Sequence, residues 1–152
     1  MKRTSKGLGL LDLVVTLVIA LLLASIAIPS YQAFTQRAKV AAAIGDIGKI
    51  SLAIESHRLR YDDRIPLSLE ELGMPIPLDP WGQPYEFLNI PAAGAGNSGL
   101  RKDGSLNPLN TDFDLYSRGE DGESAGPLSA EKSRDDVVRA NNGAYIGLGE
   151  DY

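Results

Sequence analysis

The sequence predicts an α+β fold: a long N-terminal helix packed on a small antiparallel sheet, with a C-terminal loop. Three observations lead there. Residues 8–28 form an apolar run broken only by Asp12. Apolar residues spaced by three and four continue that run as one helical stripe to residue 60. Beyond it, Pro and Gly punctuate short segments, of which 112–117 alternates best as a strand. The 152 residues suit one domain.

The helix divides by composition. The 21 residues of 8–28 span about 31 Å as a helix, close to the roughly 30 Å of a bilayer core. Lys2, Arg3 and Lys6 precede the run, which puts the N-terminus on the cytoplasmic side. Pro29 removes one helical hydrogen bond and predicts a kink. From 30 to 60, Tyr31, Phe34, Ala38, Ala41, Ile44, Ile47, Ile50 and Ile54 form the apolar stripe. Gln32, Arg37, Lys39, Asp46, Lys49 and Glu55 occupy the other face. Gly45 and Gly48 weaken the helix by about 1 kcal/mol each.

The remainder reads as loops and short strands. Ser68 and Glu71 have capping-box spacing for a short helix ending near Gly73. Pro75, Pro77, Pro80 and Pro84 exclude regular structure between them. Residues 84–89 make a strand with Tyr85 and Phe87 on one face, and 91–104 a hairpin loop. In 112–117, Phe113 and Leu115 face the core while Asp114 and Tyr116 face out. Residues 119–126 form an acidic turn-rich loop. A helical turn falls within 129–141, and 144–148 is a last apolar segment.

Composition excludes several functions. The net charge of −5 and a pI near 4.8 argue against nucleic acid, because phosphate contacts need clustered Lys and Arg. The chain has no Cys, hence no disulfide, thiolate nucleophile or Cys-ligated metal. Its single His, His57, sits near the helix end, and no Ser, Lys or acid pair has catalytic spacing. Gly94-Ala-Gly96-Asn-Ser-Gly99 matches GxGxxG, but no helix pattern opens at it, so it reads as a loop. No catalytic residue is predicted, and the chain is read as not an enzyme.

Three readings of the N-terminus compete. One is a secretory signal peptide cut after Ala27, although its apolar region exceeds the usual 7–15 residues. Another is a plain membrane anchor, which leaves Asp12 unexplained, since a carboxylate in a membrane helix is costly and marks function. The third accounts for every feature. Lys6-Gly7, then Leu8-Gly9-Leu10-Leu11-Asp12 and the apolar run, resembles the class III signal of type IV pilins and pseudopilins. In that family a prepilin peptidase cuts after the Gly. The resemblance makes Gly7 and Leu8 the processing site, with Asp12 fifth and Pro29 twenty-second in the mature chain. It departs in having Asp12 where Glu is usual, and Leu8 where Phe or Met is usual.

Two further segments carry the resemblance. Asp79-Pro80-Trp81-Gly82-Gln83-Pro84-Tyr85 is similar to the DPWG-x-PY signature of the type II secretion major pseudopilin. Phe113-Asp114-Leu115-Tyr116-Ser117-Arg118-Gly119-Glu120-Asp121-Gly122 is similar to its FD-x-YS-x-G-x-DG segment. Trp81 reads as a core anchor that packs the proline-stiffened turn onto the helix.

The resemblance implies a type IV pilin-like organisation: a leader at 1–7, a transmembrane and assembly helix at 8–29, and a periplasmic globular domain at 30–152 that includes an amphipathic helix at 30–60. It implies a bacterial inner-membrane subunit, N-methylated on Leu8, with one pass through the membrane. Asp12 then meets the amine of a neighbouring copy, and Pro29 belongs to the assembly helix. Implied partners are further copies of the chain, minor pseudopilins, the prepilin peptidase and the inner-membrane assembly platform. The resulting filament drives protein secretion. A type IV pilin or minor pilin of a surface fibre, and a membrane-anchored binding module, stand as alternatives.

Relatives in this family bind calcium in the C-terminal loop, where type IV pilins commonly have a disulfide. Asp121, Asp135 and Asp136 are suitable hard ligands alongside backbone carbonyls. By resemblance, the carbonyl of Arg118 and the carboxylate of Asp121 match the first two ligands, and Asp135 and Asp136 the later ones. Lys132 and Arg134 offer the alternative of internal ion pairs. An EF-hand is excluded, because the Gly it needs after Asp112 and Asp114 is missing.

Overall fold

The computed structural model describes residues 9–94, 99–104 and 106–152. Its first element, α1, is a 51-residue helix, Leu10–Arg60, that runs through Pro29 without interruption. The chain divides into two compact units, residues 1–37 and 38–152.

In the first unit every large apolar side chain of α1 is exposed, from Leu10 at 83% to Ile28 at 58%. The run is long and apolar enough to cross a membrane. Tyr31 and Phe34 continue this bare surface at 72% and 70% exposure.

In the second unit α1 buries Ala43, Ile47, Ile50 and Ile54, one seam at spacings of four, three and four. The upper part of the predicted stripe does not join it: Tyr31, Phe34, Ala38 and Ala41 are all exposed. Helical periodicity marks a face, and only the presence of strands opposite decides which stretch of it is covered.

Those strands are β1 (Glu86–Asn89), β2 (Phe113–Ser117), β3 (Val137–Ala140) and β4 (Tyr145–Leu148). They form one antiparallel sheet in the order β1-β2-β3-β4. A single turn of helix, α2 (Ile90–Ala93), follows β1, with the Asn89 side chain accepting from the Ala92 N–H at 3.0 Å.

The sheet is covered on both faces. On one, Phe113, Leu115 and Val137 pack with the α1 seam, Leu69 and Tyr85. On the other, Val138 and Ala140 pack with Leu109 and Leu128, and Tyr116 and Tyr145 lie against them. Alternation along each strand supplies both layers.

Several predicted details change. Asp114, expected to face solvent, is 1% exposed. The segment around Arg101 and Leu109 covers that face, and Asn110 Nδ2 (2.8 Å) and the Arg101 N–H (3.0 Å) satisfy the carboxylate. The predicted helix after Ser68 is a 3₁₀ turn, Leu69–Leu72, ended by Gly73 at φ 67°. Ser68 makes no side-chain cap, while Glu71 Oε2 accepts from the Leu67 N–H at 3.2 Å. The stretch 129–141 holds its helical turn at Glu131–Ser133, but also all of β3.

Candidate functional site

Two regions answer to the predicted functional residues: the start of α1, and the loop between β2 and β3. Gly7 and Leu8, the expected processing pair, lie outside the described residues. Four residues of the GxGxxG-like stretch, 95–98, do so too.

Asp12 sits in the first turn of α1. Its Oδ2 accepts from the Gly9 N–H at 3.2 Å. A helix leaves its first four N–H groups without partners, and its positive end favours an acid. Asp12 takes up one of those N–H groups and places a carboxylate at the positive end, while the uncharged run begins one residue later. Pro29 lies well inside α1, where the missing N–H leaves the Ser25 carbonyl without its i+4 donor. Ser30 Oγ donates to the Ile26 carbonyl at 2.9 Å just beyond it.

The two sequence signatures meet at Asp79, a residue that the sequence marks only as the first letter of its motif. Asp79 is 4% exposed. Its Oδ1 accepts from the N–H groups of Trp81 (3.1 Å) and Gln83 (2.8 Å), and its Oδ2 from Ser117 Oγ at 2.5 Å. The carboxylate therefore shapes the proline-stiffened turn and ties it to the end of β2. Ser117 Oγ in turn accepts from the Gly119 N–H at 3.1 Å, which starts the acidic loop. Trp81 packs against the α1 core as expected, and Tyr85 Oη donates to Asp46 Oδ2 on α1 at 3.3 Å.

Pairing of Ser117 with Val137 brings the two ends of the loop together. Arg118 follows one partner and Asp136 precedes the other. Gly119, at φ 66°, lies so close that a Cβ there would collide with the Asp135 carbonyl oxygen. Asp135 Oδ2 accepts from the N–H groups of Glu120 (2.8 Å) and Asp121 (3.1 Å). Asp121 Oδ1 accepts from the Glu123 N–H at 2.7 Å. Arg118 turns its side chain to Glu86 at 2.6 Å, and Lys132 pairs with Glu123 at 2.6 Å.

Asp136 points the other way, into the protein, and is 0% exposed. Its Oδ2 receives Arg101 Nη2 at 2.6 Å and Ser124 Oγ at 2.6 Å. Burial pushes its carboxyl above the ordinary carboxylate range, with Ser124 and Arg101 pulling it down.

The loop thus gathers Arg118, Asp121 and Asp135 at its neck and takes Asp136 away from them. Calcium takes six to eight oxygens from converging carboxylates and carbonyls, and among the described residues no three acidic or His side chains converge in that way. Protein N–H, hydroxyl or guanidinium donors engage one oxygen of each of the three carboxylates, while Asp136 Oδ1 is buried without a hydrogen-bond partner.

A membrane-length apolar helix, continued by an amphipathic half that packs on a four-stranded antiparallel sheet, is the pilin-like arrangement within the α+β class. The chain is similar to the type II secretion system core protein G of Pseudomonas aeruginosa strain PAO1. The two are 28% identical over 145 residues, covering 82% of this chain and 90% of the relative. The likeness to the type II secretion major pseudopilin, read from three separate segments, therefore extends along the molecule. No family model matches the chain, and no solved structure matches it significantly.

Proposed function

We propose that this protein is a structural, non-catalytic subunit of a type II secretion filament, inserted in the bacterial inner membrane before assembly. The observation that carries the proposal is the bare apolar surface of α1 with one acid at its head. A surface of that size needs lipid or neighbouring copies to cover it. Lipid covers it in the inner membrane, and other α1 helices cover it in the filament. Moving from lipid to a helical bundle brings little hydrophobic gain, so packing and polar contacts set the register.

Asp12 is the polar contact available. Prepilin peptidase cuts after Gly7 on the cytoplasmic face and frees the Leu8 amine, which is then methylated. The amine and the carboxylate carry opposite charges in a medium of low dielectric, where each is costly alone. Pairing Asp12 with the amine of the next copy sets the axial step. One surface of a subunit then meets a different surface of the next, which gives an open-ended polymer. Minor pseudopilins and the inner-membrane platform start and drive its growth, and the sheet domain stays on the periplasmic side.

Mass spectrometry of the mature N-terminus tests this reading. The expected result is a chain that begins at methylated Leu8. A start at Met1 supports a plain anchor, and a start at Ile28 a secreted protein. Either one removes the filament reading.

A further inference from the structure

We propose that the guanidinium of Arg101 is a built-in cation that closes the 118–136 loop, so that the loop holds its fold without calcium. Arg101 lies outside the loop, in the segment that covers the back of the sheet. It is 2% exposed. Its own N–H is anchored on Asp114 Oδ2 at 3.0 Å. Nη2 reaches Asp136 Oδ2 at 2.6 Å, at the end of the loop where β3 begins. Nη1 reaches the Ser124 hydroxyl and the Ala125 carbonyl, the latter at 2.9 Å, in the middle of the loop. The guanidinium carbon stands 4.3 Å from the centroid of the Tyr116 ring on β2.

One cation thus touches the middle of the loop, its last residue and the strand before it. A bound metal would serve by the same means: several oxygens from distant points of a loop drawn to one positive centre. A planar guanidinium with five donors does this where a Lys ammonium does not.

Charge favours the same conclusion. The 118–136 segment carries six acids against three bases. Arg118 spends its charge on Glu86, outside the segment, and Lys132 on Glu123. Asp136 is buried, and neither Arg118 nor Lys132 turns its side chain to it, so it takes its partner from elsewhere. Ser124 completes the cluster by donating to Asp136 Oδ2 while accepting from Arg101. The Ser133 hydroxyl braces the same turn, accepting from the Ala125 N–H at 2.9 Å and donating to its carbonyl at 2.8 Å.

The test is a thermal melt of the full chain in detergent micelles, with EDTA and with millimolar calcium, joined to limited proteolysis of the loop. The wild type is expected to melt at the same temperature in both conditions. Arg101→Met is expected to lower that temperature by roughly 10 °C and to open the loop to cleavage. Arg101→Lys is expected to keep the charge but recover only part of the loss. A wild-type melting temperature that falls in EDTA and returns with calcium overturns the proposal. So does an Arg101→Met chain that melts and resists protease like the wild type. Should Arg101→Met fail to accumulate, the wild-type chelator melt and Arg101→Lys decide the matter. None of these results bears on the start of the mature chain, so the filament reading stands or falls separately.

Discussion

The guanidinium carbon of Arg139 lies 3.8 Å from the centroid of the Phe113 ring, inside the layer between the sheet and α1. Both residues are buried. Arg139 Nη1 also donates to Asp112 Oδ1 (2.9 Å) and to the Phe113 carbonyl (3.0 Å), and Nη2 to Asp112 Oδ2 (2.6 Å). β3 is thus fastened to the start of β2 by a bidentate ion pair stacked on an aromatic face.

Arg139→Met keeps the aliphatic packing but removes both guanidinium donors of Asp112, which retains only the Phe113 N–H, and the side-chain donor of the Phe113 carbonyl. The expected loss is about 3–5 kcal/mol of stability, the usual cost of removing one partner of a buried pair. Urea unfolding of the protein in micelles measures it. A loss below about 1 kcal/mol, the scale of a surface pair, would mean that the stack contributes little.

The same pair gives a pH dependence. Burial works to raise the Asp112 carboxyl, but the hydrogen bonds from Arg139 and from the Phe113 N–H outweigh it. The net effect is a value below the ordinary 3.8. Between that lowered value and 3.8 the unfolded chain binds more protons than the folded one, so stability rises with pH there. The contribution of Asp112 is complete above 3.8 and is lost as pH falls through the lowered value. Burial instead pushes Asp114 and Asp136 upward, so they act in the opposite sense. The difference between wild type and Asp112→Asn isolates the Asp112 part. Melting temperatures should diverge above about pH 4 and converge in stronger acid. A constant difference through the acid range would contradict the assignment.

Asp79→Ala removes the acceptor of two backbone N–H groups and of the Ser117 hydroxyl at once. A loss of about 3 kcal/mol is expected, since hydrogen bonds to a buried carboxylate are the stronger kind. Trp81 is the only tryptophan and sits in the same turn, so its fluorescence should shift to the red as the turn loosens. Ser117→Ala should give a smaller change in the same direction. An unshifted emission in Asp79→Ala would show that the prolines hold the turn unaided.

Asp12→Ala is expected to leave the protein folded and membrane-inserted, because the carboxylate's hydrogen bond runs to the Gly9 N–H of its own helix start. Filament growth should fall at least tenfold if the carboxylate pairs with a neighbour's amine, since about 1.4 kcal/mol in the assembling contact suffices for that factor. Asp12→Glu should restore most of it. Assembly is scored by shearing and sedimentation. Unchanged growth in Asp12→Ala would remove the register role.

Much of the fold was legible because it rests on local patterns. The uncharged run, the three-and-four spacing through Ile54, the alternation of Phe113 and Leu115, and the Gly73 stop each depend on nearby residues alone. β3 was harder to see. Val137-Val-Arg-Ala140 shows no alternation, since all four residues are buried, and a turn signal lies directly on each side. The Asn141-Asn-Gly143 sequence was an available hairpin cue; Asn141 and Asn142 adopt φ of 50° and 54° there.

By itself the sequence determined the long helix, its membrane-length half, the acid at its head, the two signatures and the family likeness. These depend on composition and on spacing along one chain. Only the tertiary structure decided which acids face solvent and which face a cation. Arg101 and Asp136 stand 35 residues apart, and Asp79 and Ser117 stand 38 apart. Neither pair has any signal along the chain. A buried carboxylate takes whichever donor the packing brings within reach, because leaving it alone in a low dielectric costs more than almost any rearrangement nearby. The packing of the covering segment on the back of the sheet, and not spacing along the chain, therefore decides which donors Asp114 and Asp136 meet.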